Sequence, residues 1–86
     1  MNILIIEDEV FLALRVQKIF EAKGISNRVR VVHSYVEFLT EYSIIGSYDI
    51  ILTDLKLSNE LKELSGYKII QMVREKHPHT PIVVIS

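Results

Sequence analysis

Cysteine is absent from this chain, and proline and glycine are scarce, with two and three residues respectively. The absence of cysteine excludes disulfide bonds, cysteine nucleophiles, thiol redox motifs and cysteine-ligated zinc. An 86-residue chain without disulfides must rely on its packed core, although domains of this size bury only roughly 60–65% of the surface that their unfolded chains expose. With 49% hydrophobic and 24% charged residues, the sequence predicts one small globular domain, residues 1–86.

Long apolar runs and clusters of one charge are absent too. The longest apolar run is the five residues Val10–Leu14, far short of the ~20 that cross a bilayer. Acidic Glu7 and Asp8 follow the first apolar segment, where a signal peptide would extend its apolar core, so we expect a cytoplasmic protein. Ten Lys and Arg residues against eleven Asp and Glu give a formal net charge of −1. Because the basic residues form no run, this chain alone predicts neither membrane nor nucleic-acid binding.

Four segments rich in β-branched residues are continuously apolar, as in strands that are buried on both faces of a parallel sheet. They are Ile3–Ile6, Val29–Val32, Ile50–Thr53 and Ile82–Ile85. The first and third connections show the apolar spacing of a helix. The residues are Leu12, Val16, Ile19 and Phe20 in the first connection, and Ile69, Ile70 and Val73 in the third. In the second connection, Ser34 and Glu37 have the spacing of a capping box, which would satisfy two backbone amides at a helix start. Strands that alternate with helices predict βαβ units and an α/β fold.

Three acidic residues follow two of the predicted strands. Glu7 and Asp8 come directly after the first strand, and Asp54 comes after the third. Because ligands of open parallel sheets bind where the strands end, we expect the three side chains to meet there. Their mutual repulsion requires a cation, and oxygen ligands favour Mg²⁺, with Mn²⁺ as a second choice. A carboxylate beside such an ion can attack a phosphoryl donor, although each acid taken singly is more simply a helix cap or a solvated loop residue.

Four parts of the sequence together carry a family resemblance: Ile3–Glu9, Tyr48–Leu55, Gly66 before a helix, and Thr80–Ser86. They extend over the whole chain, and in this order and spacing they resemble the receiver domain of two-component response regulators. The resemblance implies a doubly wound, flavodoxin-like α/β fold with the strand order 2-1-3-4. It also implies a signalling switch that catalyses only its own phosphorylation, not an enzyme with a separate substrate.

The resemblance further implies a role for each site residue. Asp54 would accept the phosphoryl group from a sensor histidine kinase, and Asp8 would bind Mg²⁺ directly, with Glu7 acting through water. The backbone carbonyl of Lys56 would be another metal ligand, and the hydroxyl of Ser86 would be the switch group. A phosphoryl group beside Mg²⁺ would then bias a two-state equilibrium.

Three features depart from the family pattern. Position 58 is Ser where the family usually has proline, and the glycine comes only at Gly66, so we expect a solvated loop insertion of about four residues.

The chain stops at Ser86, so a fifth strand with its lysine and the last two helices are expected to be missing. Phosphoryl transfer would then be slower or absent in this chain alone unless Lys56 or Lys62 replaces that lysine. A longer parent protein could carry an output domain.

The end of the chain also suggests self-association. The apolar segment Pro81–Ser86 would lie at a sheet edge, and one sheet face would lack helical cover over the first and third strands. Exposed edges of this kind associate. We therefore expect a homodimer, or a larger assembly that exchanges elements, through the uncovered sheet.

Two other functions stay open at this point. A Mg²⁺-dependent phosphohydrolase of an α/β fold also uses an aspartate after a parallel strand. Such hydrolases usually place a second acid two residues later, where this chain has Lys56. A receiver-derived interaction module that no longer accepts phosphate would agree with the loss of the family lysine.

Overall fold

Four parallel strands form one sheet, with helices in the connections between them. The computed structural model describes residues 1–23, 28–55 and 66–85. The strands are β1 (Asn2–Ile6), β2 (Arg28–Val32), β3 (Ile50–Thr53) and β4 (Ile82–Val84), and the helices are α1 (Val10–Ala22), α2 (Tyr35–Glu41) and α3 (Gly66–Lys76), with a 3₁₀ helix at Tyr42–Ser47. The observed order, β2-β1-β3-β4, confirms the predicted arrangement of the sheet. Among the helices in these ranges, none is long and apolar enough to cross a membrane.

The predicted strands agree with the observed ones to within one residue at each end. β4 ends at Val84, one residue earlier than expected, although the Ile85 N–H still donates to the Thr53 carbonyl at 3.1 Å. β1 occupies the centre of the sheet, where Ile3 pairs with Val29 of β2 and with Ile50 of β3. A central strand has both faces and both edges covered, which explains its uninterrupted apolar sequence.

Alternate residues of the strands contribute to two separate cores, as the period of two in a β-strand requires. The larger core lies between the sheet and helices α2 and α3. Its buried members are Leu4, Ile6, Val32, Phe38, Ile45, Ile51, Ile69 and Val73. The opposite face carries Ile3, Ile5 and Leu52, which pack against Val16 and Phe20 of α1.

The expectation of a bare sheet face over β1 and β3 is wrong. Ile3 and Ile5 are fully buried and Leu52 is 5% exposed, because Val16 and Phe20 of α1 pack against this cluster together with Ile85 and neighbouring strand residues. Exposed apolar side chains of the sheet lie on β4 instead, where Val83 and Val84 are 44% and 45% exposed. Within the described part of the chain, β4 pairs only with β3.

Helix α2 begins with the predicted cap, but the second half of the capping box is shifted by one residue. The Ser34 hydroxyl oxygen accepts a hydrogen bond from the Glu37 N–H at 3.1 Å. In return, the Glu37 carboxylate accepts from the N–H of His33, the residue before the cap, at 2.8 Å. Two backbone amides are satisfied, as the spacing predicts, and β2 is thereby tied to the start of α2.

Phe38 is the largest fully buried side chain, and its ring lies between those of Tyr35 and Tyr42, at centroid distances of 6.2 and 5.8 Å. We predict that Phe38→Ala lowers the free energy of unfolding by about 3–5 kcal/mol, because it removes apolar burial and leaves a cavity. Urea unfolding followed by circular dichroism measures the change. Val36→Ala, at an exposed position of the same helix, should change stability by less than about 0.5 kcal/mol. A loss below about 1 kcal/mol for Phe38→Ala would contradict the assigned core.

Candidate functional site

The sheet brings the carboxyl ends of β1 and β3 together. Ile6 pairs with Thr53 as the last residue of each strand, and the Asp54 N–H donates to the Ile6 carbonyl at 3.1 Å. The next residues are therefore Glu7 and Asp8 on one side and Asp54 on the other. One carboxylate oxygen from each of these three residues lies within 4.8 Å of the others. The three acids that the sequence singles out thus form one cluster.

Burial dominates the electrostatics of the cluster. The Glu7 side chain is 1% exposed, and its Oε2 accepts a hydrogen bond from the Glu9 N–H at 3.1 Å. Desolvation raises the pKa of Glu7 from 4.5 to about 7. The Glu9 amide opposes this increase, whereas the Asp8 side chain and the negative charge of Asp54 add to it. At neutral pH the metal-free cluster therefore holds one carboxyl group that is only partly ionised.

The arrangement fits a hard divalent cation. Glu7 Oε1 is buried and has no hydrogen-bond partner among residues 1–23, 28–55 and 66–85. A buried carboxylate oxygen without a donor is costly, and a water molecule bound to a cation would satisfy it. All three ligand groups are oxygens, the donor type that suits Mg²⁺. Glu7, Asp8 and Asp54 are the residues that would hold the ion.

The main chain at Asp54 is held on both sides. The Thr53 hydroxyl donates to the Asp54 carbonyl at 3.0 Å. Gly66, the first residue of α3, donates its N–H to the Leu55 carbonyl at 3.0 Å, and any Cβ at this position would overlap the Asp54 carbonyl oxygen. Glycine is thus required because α3 begins in direct contact with the backbone of Asp54 and Leu55. The sequence pattern includes this glycine without revealing the contact.

Two predicted site residues fall outside the described ranges. The backbone carbonyl of Lys56 and the switch hydroxyl of Ser86 both lie there, as does the predicted insertion with Lys62. Their roles stay predictions. The structure brings together the three carboxylates and adds Thr53, which sequence reasoning did not select because a buried threonine at a strand end gives no separate signal.

A parallel sheet with an acidic cluster at the ends of its strands is the arrangement that the family resemblance predicts, and comparison with known proteins agrees. The family model of the response regulator receiver domain matches residues 3–86. The chain belongs to this family, the signalling receiver domains of two-component systems.

Individual relatives support the assignment. The chain is 33% identical over 86 residues to the transcriptional regulatory protein DltR of two Streptococcus agalactiae serotypes, a match that covers 100% of this chain and 35% of DltR. It therefore spans about a third of the length of these curated relatives.

Solved structures share the fold. The non-phosphorylated HemR receiver domain from Leptospira biflexa has a TM-score of 0.80 at 22% identity, with 96% of this chain and 61% of that chain covered. A response regulator receiver domain protein from Clostridium thermocellum has a TM-score of 0.79 at 25% identity, with 96% and 62% covered. The four strands and their helices therefore have the receiver arrangement.

The raised pKa of Glu7 makes the stability of the metal-free chain depend on pH. Between about pH 4.5 and pH 7 the folded state retains a proton on Glu7 that the unfolded state has lost, so stability falls as the pH rises through this window. The shift sets an upper limit of about 3 kcal/mol for this loss. We predict that Glu7→Gln removes it, as measured by urea unfolding with a chelator between pH 4.5 and pH 8.

Glu75→Gln, at an exposed position of α3, is the matched control and should leave the slope unchanged. If the Glu7→Gln chain lost stability with pH as steeply as the wild type, the pH dependence would arise elsewhere.

Proposed function

We propose that this chain is the phosphoacceptor module of a two-component phosphorelay and that Asp54 accepts a phosphoryl group from a sensor histidine kinase in a Mg²⁺-dependent reaction. The observation that carries the proposal is the convergence of three carboxylates, within 4.8 Å of one another, at the ends of β1 and β3 in a receiver-family chain.

In the proposed reaction, a carboxylate oxygen of Asp54 attacks the phosphorus of a phosphohistidine. The P–N bond breaks, the imidazole leaves and takes up a proton from water, and an acyl phosphate forms on Asp54. Bound Mg²⁺ would neutralise charge on the cluster and on the transferring group. Asp8 would bind it directly and Glu7 through water, with the Lys56 carbonyl as a further ligand.

The contribution of the chain itself is to fix the main chain that carries the nucleophile. Asp54 is 9% exposed and follows a strand that is paired on both sides. Its backbone N–H bonds to Ile6, and its carbonyl accepts from Thr53 and abuts Gly66. With its main chain fixed, the nucleophile gives up only side-chain freedom when the donor arrives, which lowers the barrier to transfer.

Further roles belong to the same proposal. The Ser86 hydroxyl would bond to the phosphoryl group and so report its presence. DltR is a transcriptional regulatory protein of which this chain matches about a third, so we place any DNA-binding output outside residues 1–86. The receiver itself would act in the cytoplasm as a switch, not as an enzyme that turns over substrates.

Phosphorylation can be measured directly. On incubation with Mg²⁺ and acetyl phosphate, the intact wild-type chain is expected to gain the mass of one phosphoryl group. Asp54→Asn should abolish the adduct because the amide cannot form an acyl phosphate. Asp49→Asn is the matched control: Asp49 is exposed, lies just before β3 at the opposite end of the strand, and should leave the adduct unchanged. Chelation of Mg²⁺ should also abolish the adduct.

The other outcomes identify the alternatives. Steady release of phosphate without an adduct would indicate a phosphohydrolase. The absence of both an adduct and released phosphate from a folded chain would indicate an interaction module. An adduct that survives Asp54→Asn would contradict the assigned acceptor.

We also propose that the chain forms a homodimer through β4. The supporting observations are the exposed Val83 and Val84 and the strand edge for which the described residues provide no partner. A strand edge with apolar side chains is a template for pairing with a second copy.

Light scattering after size-exclusion chromatography, at tens of micromolar, is expected to give the mass of a dimer. Val83→Lys should shift it to the monomer, because the charge would be buried in the contact. Val36→Lys, at a valine of α2 that is 65% exposed, should leave the dimer intact. A wild-type chain that is folded and monomeric at this concentration would contradict the proposal.

A further inference from the structure

His33 lies beside the acid cluster and takes no part in the proposed phosphoryl transfer. It directly follows β2, and its side chain is half-buried. Its Nδ1 atom is 2.9 Å from the backbone carbonyl oxygen of Glu7. The contact joins the end of β2 to the segment that carries two of the three carboxylates.

The chemistry of this contact places a proton on the ring. A carbonyl oxygen accepts hydrogen bonds and cannot donate them, so Nδ1 must carry the hydrogen. In the neutral ring, Nε2 is then the nitrogen without a proton. The doubly protonated ring also has an N–H at Nδ1. The hydrogen bond to Glu7 is therefore available to His33 in either charge state.

The carbonyl that His33 holds belongs to the peptide group between Glu7 and Asp8. A peptide group is planar, so a bond to its oxygen fixes the direction in which the chain continues to Asp8. The N–H of Glu7 is held from the same strand, because it donates to the Val32 carbonyl at 3.0 Å. Both main-chain polar groups of Glu7 are thus bonded to residues at the end of β2.

The main chain of His33 is itself anchored. Its N–H donates to the Glu37 carboxylate at 2.8 Å, which connects it to the start of α2. Its side chain lines a cavity of about 170 Å³ together with Val10, Ala13 and Leu14 of α1. The anchored main chain limits the positions that Nδ1 can take and so favours its contact with the Glu7 carbonyl.

We infer that His33 is a positioning residue: its Nδ1–H orients the Glu7–Asp8 peptide group so that both carboxylates converge with Asp54 on a divalent cation. The inference rests on the proposed function, since the cation takes part in that reaction. Groups that orient metal ligands typically change metal affinity by roughly 10–100-fold. Loss of the Nδ1–H should therefore weaken Mg²⁺ binding about tenfold.

Mg²⁺ titration by calorimetry, with no phosphoryl donor present, compares the wild type with His33→Ala, His33→Asn and His33→Gln. The asparagine amide nitrogen can take the place of Nδ1, whereas the glutamine amide reaches the place of Nε2. We expect the Kd for Mg²⁺ to rise about tenfold in the alanine and glutamine variants and to stay near the wild-type value in the asparagine variant. His79→Ala, in the exposed turn after α3, is the matched control and should not change the Kd.

A second measurement needs no metal. Nitrogen-15 NMR of the histidine rings in the Mg²⁺-free chain is expected to show a proton on Nδ1 of His33. An unprotonated Nδ1, or equal Mg²⁺ affinity in all four folded chains, would overturn the inference while leaving phosphorylation of Asp54 intact. Equal weakening in both amide variants would indicate a general structural loss and would overturn it too. If the wild type neither binds Mg²⁺ nor forms the adduct, the proposed function fails, and this inference fails with it.

Discussion

The parallel pairing of β1 with β3 is the constraint on which both the core and the site depend. In the observed register Ile6 lies opposite Thr53, and the residues that follow are the acidic ones. A slip of one residue would turn the side chains of one strand to the opposite face. The cores on the two faces would then exchange members, and Asp54 would point away from Glu7 and Asp8. The hydrophobic alternation that packs the sheet therefore also places the carboxylates.

The acid cluster opposes the stability that the core provides. Three carboxylates lie within 4.8 Å, and one of them is almost completely buried. The desolvation of Glu7 raises its pKa to about 7, which measures how poorly the metal-free fold accommodates its charge. A small domain has little stability in reserve. A cation that neutralises the three carboxylates would therefore also favour the folded state. Binding of a cation and folding would then be linked at this edge of the sheet.

The strands, the helices and the cluster were predictable because they depend on local pattern and parallel topology. The 3₁₀ helix at Tyr42–Ser47 was not, since it has no clear period and depends on Ile45 entering the larger core. The cover over β1 and β3 was underestimated because a count of helices leaves out the side chains of neighbouring strands and of Ile85, which pack there together with Val16 and Phe20 of α1. The contact of His33 with Glu7 was also invisible: it joins a side chain to a backbone carbonyl, and a sequence pattern contains no information about main-chain acceptors.

The meeting of Gly66 with the Asp54 backbone has a mechanical consequence. With no side chain between them, the backbone of Gly66 directly contacts the backbone of Asp54. The hydrogen bond from the Gly66 N–H to the Leu55 carbonyl holds the two segments together. Side chains absorb small displacements by changing rotamer, but two backbones in contact have no such compliance. A shift of the Asp54 main chain by a few tenths of an ångström must move the first turn of α3 with it. A small displacement of the backbone at Asp54 would therefore change the orientation of α3 as a rigid body.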